Sequence, residues 1–147
     1  MFGAWSPFST ASGRAIRAEP LLQERNFGDW RGQPYDSLAF DPLAALEAPP
    51  GGESAQAFDE RIARAWAQAE AAAAELPGAL ALVTHGLVIR RLFETGIVRL
   101  EAAPLPARIG NTSLTVVEGR PLRASLVDCT AHLDAARADD PQALSGG

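Results

Sequence analysis

LVTHGLVIRR, residues 82–91, decides the fold. Apolar, strand-like residues run into a histidine and a glycine, and helical spacing resumes at once through Leu87, Ile89, Leu92 and Phe93. A strand that hands over directly to a helix is the building unit of an α/β layered domain, where ligands gather beyond the carboxyl ends of the strands. His85, one of only two histidines in 147 residues, stands at that seam. Gly86 lets the backbone turn, and the first free amides and the dipole of the following helix favour an anion there. A histidine so placed can donate a hydrogen bond to a phosphoryl oxygen. The same position equally suits a histidine that only satisfies backbone groups at a strand end.

Working outward, ALALVTH (79–85) is short, wholly apolar before its last two residues and bounded by turn residues, which predicts a strand covered on both faces. Before it, Phe58, Ile62, Ala65, Trp66, Ala69, Ala73 and Leu76 recur at spacings of three and four. Asp59, Glu60, Arg61, Arg64 and Gln68 fall mostly on the other side. This pattern predicts an amphipathic helix of about 20 residues. Pro49, Pro50, Gly51 and Gly52 stop whatever precedes it, and Ser54 is its N-cap. Glu53 and Ser54 could also lend polar groups to a phosphate at this second helix N-terminus, although capping alone accounts for Ser54.

Further upstream, LLQERNFGDWRGQPYDSL (21–38) reads as a structured loop, with Gly28 and Gly32 around Trp30. It carries Glu24 and Arg25. A carboxylate in such a loop can act as general acid if burial raises its pKa, and the adjacent arginine can pair with an anion. The plainer reading is an exposed ion pair beside a turn. Residues 1–20 carry the weakest pattern, with one short helix expected around 12–18. Downstream, Gly96 is placed to end the helix that follows His85. SLTVVEGRPLRASLVD (113–128) predicts two strands joined at Glu118, Gly119, Arg120 and Pro121. Residues 134–147 read as a mobile tail.

Composition narrows the function classes. The length suits one domain, and the net charge of -5 argues against nucleic acid and anionic membranes as partners. All thirteen basic residues are arginine, whose fork matches phosphate and carboxylate. The single cysteine, Cys129, excludes an internal disulfide and a cysteine-based zinc site. No apolar run approaches the roughly 20 residues of a membrane span. The opening MFGAWSPFSTASGR lacks the blocks of a signal peptide, so a cytoplasmic protein is expected.

Four motifs in order, ERNFGDWRG, PPGGES before a long helix, LALVTHGLVIR and GNTSLTVVE, resemble the histidine phosphatase superfamily, the phosphoglycerate-mutase-like proteins. The resemblance runs from about 21 to 127. It implies a three-layer α/β/α sandwich and phosphoryl transfer without metal or other cofactor, acting on a small phosphorylated substrate. It further implies that His85 stabilises the transferring phosphoryl group and that Glu24 protonates the leaving group and later activates water; Arg25, Glu53, Ser54 and Gly86 are the candidate phosphate-binding residues beside them.

The chain departs from that family in one decisive place. The Arg-His-Gly motif that supplies the nucleophilic histidine is missing: no histidine precedes His85, and His132 lies in the polar segment CTAHLDAAR. The family's Ser-Pro and arginine segment begins correctly at Ser6 and Pro7, but the expected arginine falls near Thr10, and Arg14 fits only with slipped spacing. The expectation is a family member lacking its first strand and first helix, with an exposed sheet edge, self-association through it and marginal stability. The implied activity is an impaired phosphoric monoester hydrolase. An inactive module that binds phosphate or a partner, and a mutase-like phosphotransferase, are the alternatives. The short stretch between Gly32 and Gly52 leaves little room for a substrate lid and favours the phosphatase.

Overall fold

Ser54 begins the longest element. Its backbone is extended (φ -67°, ψ 162°), and its hydroxyl accepts the Ala57 N–H at 3.1 Å, satisfying one of the free amides of the first turn. In this computed structural model, which describes residues 13–34, 37–101 and 104–133, helix α1 covers Ala55–Ala74. Phe58, Ile62 and Ala65, the first members of the apolar stripe, are buried. The stripe then runs out of cover: Trp66, Ala69 and Ala73 are half-buried and Leu76 is exposed.

Helix α2, Gly86–Glu94, follows the His85 seam and buries Val88, Leu92 and Phe93. It ends as the sequence predicts, with Gly96 at φ +76° just beyond the cap residue Thr95. The Arg91 guanidinium ties the two helices together, donating from Nε to Asp59 Oδ1 at 2.7 Å and from a terminal nitrogen to Glu94 at 2.7 Å. Hydrogen bonding to Asp59 is the main reason its pKa is pushed up still further.

Three strands complete the described fold: β1 (Arg99–Leu100), β2 (Leu114–Glu118) and β3 (Arg123–Cys129). Strand β3 is central, parallel to β1 and antiparallel to β2, with Leu100 and Val117 both opposite Ala124. The β2–β3 hairpin turns where the sequence predicts, with Gly119 at φ +78°. Val98 and Ala124 join Phe58, Ile62, Val88, Leu92 and Phe93 in one core, to which both helices and the sheet contribute.

The chain is therefore α/β, with a three-stranded mixed sheet, two α-helices and two short 3-10 turns (Pro20–Leu22 and Gly28–Trp30) among the described residues. The predicted strand at 79–85 is the principal correction. The segment is not part of any ladder, and no backbone hydrogen bond of the described residues involves 77–84. Leu80, Leu82 and Val83 are exposed, Val83 at 80%. An apolar run becomes a covered strand only when neighbouring strands take up its N–H and C=O groups, and none does so here. The short helix expected around 12–18 is also not formed: the described residues 13–18 are non-helical and exposed. The tail, 134–147, lies outside the described residues. No described helix is long and apolar enough to cross a membrane.

Candidate functional site

His85 is the N-cap residue of α2, with its carbonyl accepting the Ile89 N–H at 3.1 Å. Its side chain makes no capping bond and the residue is exposed, which leaves the imidazole available to a ligand. One residue earlier, the Thr84 hydroxyl donates to the Leu22 carbonyl at 2.7 Å and pins the unpaired segment to the loop that carries Glu24.

Glu24 is half-buried, and its Oε1 accepts the Arg25 N–H at 2.8 Å. Burial pushes its pKa up. The Arg25 N–H, the charge of His85, the Leu87 N–H and the charge of Arg61 pull back without cancelling that rise. Glu24 therefore shares one site with His85 and the first turn of α2, where Gly86 is the first helical residue. A carboxyl group whose pKa is raised, beside an imidazole and a helix N-terminus, can donate its proton to a leaving oxygen.

The loop is held by a network centred on Arg61. Its guanidinium grips Glu53 with both branches of the fork, at 2.9 and 2.8 Å, and donates to the carbonyls of Leu21 (2.7 Å), Gln23 (2.9 Å) and Glu24 (3.3 Å). It also lies 5.0 Å from the centre of the Phe58 ring. Glu53 accepts the Asn26 N–H at 3.1 Å, while its own N–H donates to the Asn26 carbonyl at 2.8 Å. Burial works to raise the Glu53 pKa, but the Arg61 fork and the Asn26 N–H outweigh it and the net direction is down. Gly28 and Gly52 allow the two loops to touch. A Cβ on Gly28 would lie 2.1 Å from the Pro50 carbonyl oxygen, and one on Gly52 would lie 2.6 Å from that of Asn26.

Arg25 is 2% exposed and donates to the Glu53 carbonyl at 3.2 Å and the Glu47 carbonyl at 3.3 Å, and burial draws its pKa down. Its guanidinium braces the loop that Glu53 and Ser54 belong to. With Arg90, Arg91 and Leu87 it also lines a cavity of about 350 Å³, which neither Glu24 nor His85 reaches. Among the residues singled out from sequence, Glu24, His85 and Gly86 come together at the α2 N-terminus. Arg25, Glu53 and Ser54 lie in the supporting loop and cap. His132 is exposed in a turn beyond β3, and Cys129 is half-buried at the end of β3. Arg14 is exposed, while Ser6, Pro7 and Thr10 lie outside the described residues. No group of three or more metal-ligating side chains occurs among the described residues.

Sequence reasoning missed Arg61, Asn26 and Thr84. Arg61 falls on the polar side of the helical pattern, yet its side chain is only 15% exposed. The available signal was its position three residues after Phe58, on the flank of the apolar stripe, where a guanidinium can reach back past the helix N-terminus. No such signal marks Thr84, whose partner is 62 residues away in the chain.

No curated protein matches the chain. The family model for the histidine phosphatase superfamily (branch 1) matches residues 5–131, which includes the loop, both helices, the sheet and the Glu24–His85 site, and the chain belongs to that superfamily.

Proposed function

We propose that the chain is a phosphoric monoester hydrolase for small phosphorylated metabolites, working without a cofactor in the cytoplasm, and impaired by the absence of an Arg-His-Gly nucleophile from its 147 residues. The observation that carries the reading is the half-buried Glu24 carboxyl, its pKa raised by burial, beside His85 at the N-terminus of α2. The three-layer sandwich of the family is part of the same reading.

In this site the His85 imidazole and the first amides of α2 hold the non-bridging oxygens of the phosphoryl group. As the bond from phosphorus to the leaving alkoxide breaks, Glu24 gives that oxygen its proton. Water attacks phosphorus in line from the face opposite the leaving oxygen and releases its proton to solvent, from which the carboxylate so formed is reprotonated, and the products are an alcohol and inorganic phosphate. Arg25, Glu53, Ser54 and Gly86 frame the pocket, the first three by fixing the loop and the helix start beside it.

One observation favours a second reading, a module that binds phosphate or a partner without turnover: no histidine precedes His85. Hydrolysis of an aryl phosphate by the chain, by Glu24→Gln and by His85→Ala separates the two. Turnover that falls about a hundredfold in Glu24→Gln, the scale of one general acid, and also in His85→Ala, supports the hydrolase. Absence of turnover with a melting midpoint raised by inorganic phosphate supports the module. If phosphate is neither hydrolysed nor protective, both readings fail.

A further inference from the structure

We infer that Arg61 is a positioning residue whose guanidinium sets the Glu24 carboxyl beside His85. The inference rests on the reading of Glu24 as the proton donor and deepens it.

The geometry joins two loops distant in sequence through one side chain. From α1, Arg61 reaches three carbonyls of the loop, including that of Glu24 itself, and both carboxylate oxygens of Glu53. Glu53 in turn holds the Asn26 N–H on the other side of Glu24. The Glu24 backbone is thus clamped before, at and after the residue by groups that depend on Arg61. The Arg61 and Glu53 side chains are 15% and 16% exposed, so water competes weakly for these bonds. Lysine has a single nitrogen and cannot bridge a carboxylate and three carbonyls at once. The groups that act on the Glu24 carboxyl are His85 from the segment before α2, the Leu87 N–H from α2, the adjacent Arg25 N–H, and the Arg61 charge from α1. Removing Arg61 would let the loop drift, and the relation between Glu24 and His85 would be the first thing lost.

A double-mutant cycle on the full chain reads this directly, by NMR titration of the Glu24 side-chain carboxyl with no substrate present. His85→Ala is expected to raise the Glu24 midpoint, because the electrostatic pull of His85 on the carboxyl is removed. In Arg61→Lys, which keeps the positive charge, that response is expected to vanish. A purely structural Arg61 would lower the melting midpoint and leave the response to His85→Ala intact, which overturns the inference, as does a wild-type chain in which Glu24 ignores His85→Ala. Should Arg61→Lys fail to fold, Glu53→Gln frees half of the clamp and is read by the same criteria. The cycle is independent of catalysis: Glu24→Gln with undiminished aryl phosphate turnover would sink Glu24 as proton donor, yet the titration would still show whether Arg61 places it.

Discussion

Glu24 and Glu53 share Arg61 as a partner, the first through its carbonyl and the second through its carboxylate, and titrate in opposite directions for physical reasons that can be separated. Glu24 is half-buried with too little compensating charge, so its folded pKa lies above the ordinary 4.5, whereas Glu53 is gripped by Arg61 and lies below it. The signs follow by linkage. A raised carboxyl favours the folded state below pH 4.5, and that contribution is lost as pH rises through the folded value. Glutamine mimics the protonated acid, so Glu24→Gln is expected to match the wild type in acid and to be the more stable of the two at pH 8. A lowered carboxyl contributes above pH 4.5 and loses that contribution as pH falls through the folded value. Glu53→Gln is accordingly expected to cost about 1–3 kcal/mol at neutral pH, between the values for exposed and fully buried pairs, and little in acid. Melting midpoints of both variants from pH 3 to 8 check the two signs in one experiment.

At the scale of elements, the site depends on a loop and a helix start pressed backbone to backbone. The Gly28 N–H donates to Asn26 Oδ1 at 3.0 Å, the Asp29 N–H to the Pro50 carbonyl at 3.0 Å, and the Asn26 side-chain amide to the Gly51 carbonyl at 3.1 Å. Gly28 also holds φ +47° with no room for a Cβ, whereas Gly32 at φ +76° has nothing within 4 Å of the same atom. Gly28→Ala therefore adds a backbone collision to the conformational cost and is expected to destabilise by about 2–4 kcal/mol. Gly32→Ala meets the conformational cost alone, about 1–2 kcal/mol. Urea unfolding of the two variants distinguishes close approach from conformation. Both glycines were visible in sequence as turn residues, but only Gly28 is required by a neighbour 22 residues away.

For the whole molecule, the consequential feature is the segment 79–85, largely apolar and without a ladder. An edge with free N–H and C=O groups and exposed leucine and valine is a template for another strand. Self-association that grows with protein concentration is the expected outcome, and Val83→Lys is expected to shift the population toward monomer in sedimentation velocity. A chain that stays monomeric at high concentration and unfolds cooperatively at high temperature would remove both this expectation and that of marginal stability.

The sequence alone determined what local chemistry decides. Apolar spacing and the Ser54 cap specified α1, Gly86 and Gly96 bracketed α2, and the alternation around Gly119 specified the β2–β3 hairpin, because each depends on residues within one turn or one hairpin. His85 and Glu24 stood out as candidates from their local settings, but those settings left plainer readings open, and only the family resemblance suggested their roles. The tertiary structure decided what depends on distant partners. It left 79–85 unpaired despite its strand-like composition, placed Glu24 at His85 through Thr84 and Leu22, and drew Arg61 from the polar side of α1 into the junction. Strand pairing, burial and the reach of a long side chain are set by which segments meet in space, and no local pattern carries that information.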